Sequence, residues 1–365
     1  MLTVTHAAGT YAVRFEPLAA APRRMREAGL APGLALVVTD ATVAGLYLDA
    51  LLGALRADGW RPVPVVVPPG EGSKSVATFA AVCDACLAAH PDRATPLVAL
   101  GGGVVGDVGG FAAATLLRGL PLVHLPTTVL AQVDSSLGGK TGVNTAAGKN
   151  LVGAFHAPRL VLSDPAVLAT LPAREVRSGL AEAVKHALVA GGPLLDTMEA
   201  AASWEDPATL AAVVREAAAV KAAVVSGDER EAGRRAFLNF GHTFGHALEA
   251  AAGYGRLTHG EAVAVGMRAA LHLSAALGGH VGAALPEPFA AMDALAQRLG
   301  PPPVPPDVSA DAVLAAMGLD KKRDAGGLRF VVLDAPGAPR LASDVPAALV
   351  RAAWAYAASG AASAA

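Results

Sequence analysis

Cysteine is nearly absent from this chain of 365 residues: only Cys83 and Cys86 occur. Their C-x-x-C sits inside "SVATFAAVCDACLAAH", the middle of an amphipathic helical pattern rather than the exposed helix start of a redox site. With no second cysteine or histidine pair nearby to complete a metal centre, inert packing is the expectation. A dominant charge of one sign is lacking as well. The 29 Lys and Arg nearly balance the 31 Asp and Glu, for a net charge of -2, which excludes a strongly basic field and argues against nucleic acid as a partner. Any anionic ligand must be met by local charge. No apolar run approaches the roughly 20 residues needed to span a bilayer, and "MLTVTHAAGTYAVRF" lacks the basic-then-apolar layout of a secretory signal. The expectation is a soluble, cytoplasmic protein with no membrane partner, and a hydrophobic content of 53% suffices for large cores.

The length favours two domains, with small substrates bound in a cleft. Residues 3–14 alternate as a short hairpin. "GLALVVTD" (33–40), "RPVPVVVP" (61–68) and "TPLVAL" (95–100) are buried-strand runs separated by helical patterns, which predicts an α/β, largely parallel, Rossmann-like sheet. From Pro172 onward, long Ala/Leu/Glu/Val segments of helical period take over, with little strand character until "LRFVVLD" (328–334). These shifts predict an α/β nucleotide-binding domain over 1–171 and a mainly α-helical domain over 172–355. The tail 356–365, poor in apolar bulk, is expected to fray.

Three stretches carry chemistry. "LVALGGGVVGD" follows a strand and leads into a helix, and Gly101, Gly103 and Gly106 fit G-x-G-x-x-G, a turn whose amides can approach a pyrophosphate. The acid normally found about 20 residues later is missing, although Asp40 ends an earlier strand where a ribose hydroxyl could be held. The run 125–150 gathers Thr127, Thr128, Asp134, Lys140, Lys149 and Asn150 among glycines that suggest an irregular backbone, a setting in which lysines commonly receive phosphate. Finally, "NFGHTFGHALEAAAGYGRLTHGEA" concentrates three histidines. His242 and His246 stand four apart on one helix face, and His259 begins another helix after a loop that lets the chain reverse. "LAEAVKHAL" adds Glu182, with Lys185 one turn on. Histidines plus one carboxylate form a catalytic zinc-type donor set, although a metal-free pair on a helix surface has the same spacing.

Taken together, "GGGVVGD", "LPTTVLAQVDSSLGGKTGVN", "GKNLVGAF", "SGLAEAVKHA", "NFGHTFGHALE", "HGEAVAVGM" and "DKKRDAGGLRF" resemble, in order, the motifs of the 3-dehydroquinate synthases, within the sugar-phosphate cyclases. The resemblance implies a divalent metal (zinc or cobalt) on Glu182, His242 and His259, with His246 turned to substrate phosphate. It implies NAD held by Asp40, Glu71, Lys74, Gly101, Gly102, Gly103, Asp107, Thr127 and Thr128. Substrate phosphate would meet Lys140, Asn150, Asn239, His246 and Lys321 or Lys322, with Arg118 supplied by the second subunit of a homodimer. Lys221 and Arg235 would hold a carboxylate, Asp134, Lys185 and Glu231 would contact hydroxyls, and Lys149 would line the cleft. The implied reaction converts 3-deoxy-D-arabino-heptulosonate 7-phosphate to 3-dehydroquinate by transient oxidation, phosphate elimination, re-reduction, ring opening and aldol closure.

Cyclases acting on sedoheptulose 7-phosphate tend to alter the positions matching Asn150 and Asn239, and deoxy-inosose synthases the one matching Lys221; all three keep the dehydroquinate type here. An aminodehydroquinate synthase would share nearly the whole site. A metal-dependent polyol or alcohol dehydrogenase shares the general plan but has no use for the phosphate-binding cluster.

Overall fold

The computed structural model describes residues 1–231, 233–253, 255–280, 282, 284–321 and 328–359. It divides into two compact units, Met1–Leu171 with Ala218–Arg230, and Pro172–Ala217 with Glu231 onward.

In the first unit β1 (Leu2–His6) and β2 (Gly9–Phe15) form an antiparallel hairpin. Helix α1 (Ala21–Glu27) leads to β3 (Leu34–Asp40). The short α2 (Ala41–Val43) continues through a wide turn into α3 (Asp49–Ala57), followed by β4 (Arg61–Val67), α4 (Val76–Ala88), β5 (Leu97–Gly101), α5 (Gly103–Thr115) and β6 (Leu122–Pro126). After a separate antiparallel hairpin of β7 (Lys140–Thr145) and β8 (Gly148–Phe155), β9 (Leu160–Ser163) completes a seven-stranded sheet ordered β1-β2-β9-β6-β5-β3-β4. All its neighbours are parallel except β1 and β2.

The strands read as continuous apolar runs because both faces are covered. Leu36, Val38, Leu97, Ala99 and Leu122 face one core with Val82, Val108 and Phe111. Ala35, Val37, Val98, Leu100, Val123 and Leu125 face the other with Met25, Leu51, Leu55 and Trp60. Each fully buried Leu or Val side chain contributes roughly 1.5–3 kcal/mol. Cys86 lies in the first of these cores with Cys83 packed against it. Burial pushes the Cys86 thiol up to about 12 and raises that of Cys83, so neither is a ready thiolate and the packing expectation holds.

The second unit is built on α6 (Ala173–Ala190), α7 (Gly192–Ala200), the first part of α8 (Pro207–Gly227), α9 (His242–Ala252), α10 (His259–Leu277), α11 (Phe289–Gln297), α12 (Ala310–Lys321) and α13 (Ala347–Ala358). A hairpin, β10 (Phe330–Leu333) with β11 (Pro339–Ala342), docks on α10 through Leu333 N–H and Ser274 Oγ at 3.0 Å. Among the described residues no helix is long and apolar enough to cross a membrane.

Three expectations need correction. Residues 218–230 belong to the first unit and not to a continuous helical domain over 172–355. The reason is packing: Ala218, Ala222 and Val225 at the end of α8 bury against Val4, Tyr11, Val13 and Val161, while Ser226 Oγ and Glu229 accept from Thr5 N–H and Ala7 N–H. The run 125–150 is no irregular loop, since it contains β7 and the start of β8. The predicted frayed tail begins too early, because α13 continues to Ala358 and Tyr356 donates its hydroxyl to Asp293 at 2.8 Å. Residues 360–365 lie outside the described residues.

Candidate nucleotide and metal sites

In the first unit the glycine triplet is the turn from β5 into α5. Gly102 caps α5 in an extended conformation, and a Cβ there would stand 2.9 Å from Thr128 Cγ2. Thr127 N–H donates to Gly101 O at 3.0 Å, so the glycine turn and the Thr127–Thr128 pair form one surface. Thr127 is 4% exposed, and its Oγ1 has no hydrogen-bond partner among the described residues. A buried hydroxyl left without a partner is costly, and a polar ligand on this turn would relieve it. Thr128 Oγ1 accepts from Ala131 N–H at 3.1 Å.

Lys74 is buried and ion-paired with Asp107 in the early turns of α5. Burial raises the pKa of the Asp107 carboxyl, and Lys74 opposes that rise. At the end of β3, Asp40 Oδ1 accepts from Thr42 N–H at 2.8 Å and Val43 N–H at 3.0 Å. The acid that sequence reasoning offered to a ribose therefore also caps a helix.

On the β7–β8 hairpin, Lys140 and Asn150 are exposed and Lys149 half-buried. Asn150 has a φ of 56° and donates its N–H to Asn144 Oδ1 at 3.0 Å. Asn144 Nδ2 in turn donates to Glu71 Oε1 at 2.8 Å. Asn144 thus ties the Glu71 loop to the hairpin, a link the sequence analysis missed because only the fold brings them together. Lys221, buried near the end of α8, donates to Asp134 Oδ1 at 2.6 Å. The structure therefore pairs two residues to which the resemblance gave separate tasks. Arg118 is exposed on a left-handed turn, with φ of 50° at Leu117 and 65° at Arg118.

In the second unit, three helices bring the histidines to Glu182. A Cβ on Gly260 would lie 1.9 Å from Ser178 O, so only glycine lets the first turn of α10 touch the backbone of α6. The start of α10 is fixed further by a capping box. Thr258 Oγ1 accepts from Glu261 N–H at 3.2 Å and Glu261 Oε2 from Thr258 N–H at 2.8 Å, while Arg174 grips both Glu261 oxygens at 2.7 Å. His259 is thereby held beside Glu182.

Glu182 and Lys185 are buried, 1% and 2% exposed. Lys185 Nζ pairs with Glu182 Oε2. The other oxygen, Oε1, lies 3.6 Å from His242 Nε2 and 3.3 Å from His259 Nε2. His246 is exposed, with its ring 5.1 Å from that of His242 and 5.8 Å from that of His259. The three histidines can bring ligand nitrogens within 4.8 Å of one another. What separates them is direction: His242 and His259 both aim Nε2 at one carboxylate oxygen while Nδ1 contacts Phe240 O at 3.2 Å or Glu249 Oε2 at 3.3 Å.

Burial, helped by Lys185, holds His242 well below the usual histidine range. At His259 burial also disfavours the cation, but hydrogen bonds to the Glu182 and Glu249 carboxylates outweigh it and raise the pKa to about 9. Imidazole nitrogens converging on a carboxylate are a donor set for a borderline divalent ion.

Nearby in sequence, Asn239 Nδ2 donates to Glu231 Oε1 at 2.5 Å, Glu231 has a φ of 62°, and Arg235 is buried. Lys321 ends α12, and Lys322 lies outside the described residues.

Among solved structures, the 2-epi-5-epi-valiolone synthase of Streptomyces hygroscopicus, with NAD+ and Zn2+ bound, is 32% identical with a TM-score of 0.85, covering 96% of this chain and 97% of that one. A 2-deoxy-scyllo-inosose synthase complexed with carbaglucose-6-phosphate, NAD+ and Co2+ is 26% identical with a TM-score of 0.84, covering 97% and 98%. The fold is that of the sugar-phosphate cyclases. Within that class, models of the 3-dehydroquinate synthase N-terminal and C-terminal parts match residues 64–178 and 179–323. The 3-dehydroquinate synthase of Salinibacter ruber is 48% identical over 354 residues, 96% of this chain and 95% of its own. The chain belongs to the 3-dehydroquinate synthase family.

Proposed function

We propose that the chain converts 3-deoxy-D-arabino-heptulosonate 7-phosphate to 3-dehydroquinate and phosphate, as a carbon-oxygen lyase of the shikimate route to aromatic amino acids, working as a cytoplasmic homodimer. The observation that carries this reading is the pairing of two adjoining family matches over 64–323 with the convergence of His242 and His259 on Glu182 Oε1. NAD and a divalent metal such as zinc or cobalt fit the residues present. The cofactor fit rests on the partnerless Thr127 hydroxyl beside the glycine turn, and the metal fit on the imidazole and carboxylate donors.

NAD, when bound, supplies a reversible hydride acceptor, and the metal supplies Lewis acidity at a substrate hydroxyl. The chain's own residues position and neutralise. Glu182, His242 and His259 hold the metal, and Lys185 balances the charge on the oxygen of Glu182 that it pairs with. Gly101–Gly103, Thr127, Thr128, Lys74, Asp107, Glu71 and Asp40 hold NAD. Lys140, Asn150, Asn239, His246 and Lys321 or Lys322 surround the phosphate, with Arg118 reaching it from the second subunit. Lys221 and Arg235 meet the carboxylate, Asp134, Lys185 and Glu231 the hydroxyls, and Lys149 lies alongside. This cation-rich set suits a substrate that carries a phosphate dianion and a carboxylate into a protein of net charge -2.

The test supplies purified protein with the heptulosonate phosphate, catalytic NAD and zinc. Equal amounts of phosphate and dehydroquinate without accumulation of NADH are expected. Release of phosphate only from an amino or sedoheptulose analogue would overturn the substrate assignment, and net NADH formation would overturn the reaction class.

A further inference from the structure

Glu249 has no part in the roles assigned above, yet its burial is hard to account for otherwise. It lies on α9, three residues after His246, and is 4% exposed. A buried carboxylate costs several kcal/mol of desolvation unless it is paired, so an apolar residue would fill the same helix contact at lower cost. What Glu249 touches gives the reason. Its Oε2 lies 3.3 Å from His259 Nδ1, while His259 Nε2 lies 3.3 Å from Glu182 Oε1. The imidazole is thus bracketed by two carboxylates, one on each nitrogen. At His242 the same division appears with a backbone acceptor, Phe240 O, on Nδ1 and Glu182 on Nε2.

We propose that Glu249 is a positioning residue for the metal centre: it accepts the Nδ1 proton of His259, fixes the tautomer that leaves the Nε2 lone pair for a divalent cation, and orients the ring toward Glu182. The inference rests on the reading of Glu182, His242 and His259 as the metal ligands. A carboxylate on the far nitrogen increases the basicity of the ligating nitrogen and removes the freedom of the ring to rotate away. Glu249 sits on α9 and His259 on α10, so the contact also joins the two helices that carry the histidines.

The measurement is the zinc dissociation constant of the full chain, determined by competition with a chromophoric chelator, for the wild type and for Glu249→Ala, Glu249→Gln and Glu182→Ala. Loss of the Glu249 carboxylate should weaken zinc binding about 10–100-fold. Glu249→Gln, which keeps an acceptor oxygen without the charge and preserves side-chain shape, should fall between wild type and Glu249→Ala. It also carries the test if the alanine variant does not fold. The visible spectrum of the cobalt-loaded protein should change in the same order, a readout independent of turnover.

Wild-type zinc affinity and an unchanged cobalt spectrum in both Glu249 variants would overturn the inference, whatever their melting temperatures, because a purely structural role would lower stability alone. If Glu182→Ala also binds zinc as tightly as the wild type, the ligand reading itself fails. If only Glu182→Ala loses zinc, that reading stands and the role of Glu249 falls.

Discussion

Replacing Gly260 by alanine probes the contact that places His259 beside Glu182. The added Cβ would stand 1.9 Å from Ser178 O and 2.5 Å from Ser178 C and Cα, whereas ordinary contact begins at 3.4 Å. All three are backbone atoms of α6, so no flexible side chain can yield, and the first turn of α10 must move by about 1.5 Å. His259 opens that turn, and Glu182 lies one turn beyond Ser178 on α6. Metal-ligand distances tolerate only about 0.2 Å, so on the proposed ligand set the shift would remove His259 as a ligand or drag the capping box with it. Overpacking of this kind costs about 1–3 kcal/mol, and misplacing a reacting centre by about 1 Å costs on the order of 100-fold in rate. Gly260→Ala should therefore lower the melting temperature, weaken zinc in chelator competition by at least about tenfold, and reduce kcat/KM for phosphate release by about 100-fold. Gly53→Ala is the control. Gly53 lies within α3 with nothing inside 4 Å of the added Cβ, so that variant should gain roughly 0.5–1 kcal/mol. A Gly260→Ala protein with wild-type zinc affinity and turnover would refute the argument that this helix contact sets the ligand geometry.

Two further outcomes test the division of labour and the electrostatics. Because His242 directs Nε2 at Glu182 Oε1 whereas His246 is exposed, His242→Ala should lose bound metal and His246→Ala should retain it while KM for the phosphate substrate rises; equal metal loss, by elemental analysis, would contradict the assignment. His124, on β6, is buried at 5% exposure, and burial followed by the nearby His156 lowers its pKa to about 4 from 6.5. The folded state therefore refuses a proton that the unfolded chain accepts. That stability is present above about pH 6.5 and is lost as pH falls toward 4, by about 2 kcal/mol between pH 7 and pH 5. Urea midpoints of wild type and His124→Gln should diverge in slope over that interval, and parallel slopes would show that His124 does not titrate as described.

How far the sequence revealed this molecule depends on the range of the forces involved. β3 and β5 were legible because strands buried on both faces must be apolar throughout. The β7–β8 hairpin was not, since "KTGVNT" and "GKNLVGAF" are interrupted by glycines and polar residues and the apolar residues of β8 do not alternate and are mostly exposed, leaving no apolar alternation to detect. The end of α8 has ordinary helical periodicity, which states that one face is buried without stating in which unit. At the candidate metal site the i,i+4 spacing of His242 and His246 was legible and the three histidines do come together, but the convergence of nitrogens from α9 and α10 on Glu182 was not. That convergence depends on Gly260 touching Ser178 across 82 residues, a contact with no local signature. The same holds for Glu249, which in sequence is one more acid on an alanine-rich helix. Its burial and its hold on His259 arise only when α9 and α10 pack, so this is where sequence patterns stop being informative and tertiary distances decide.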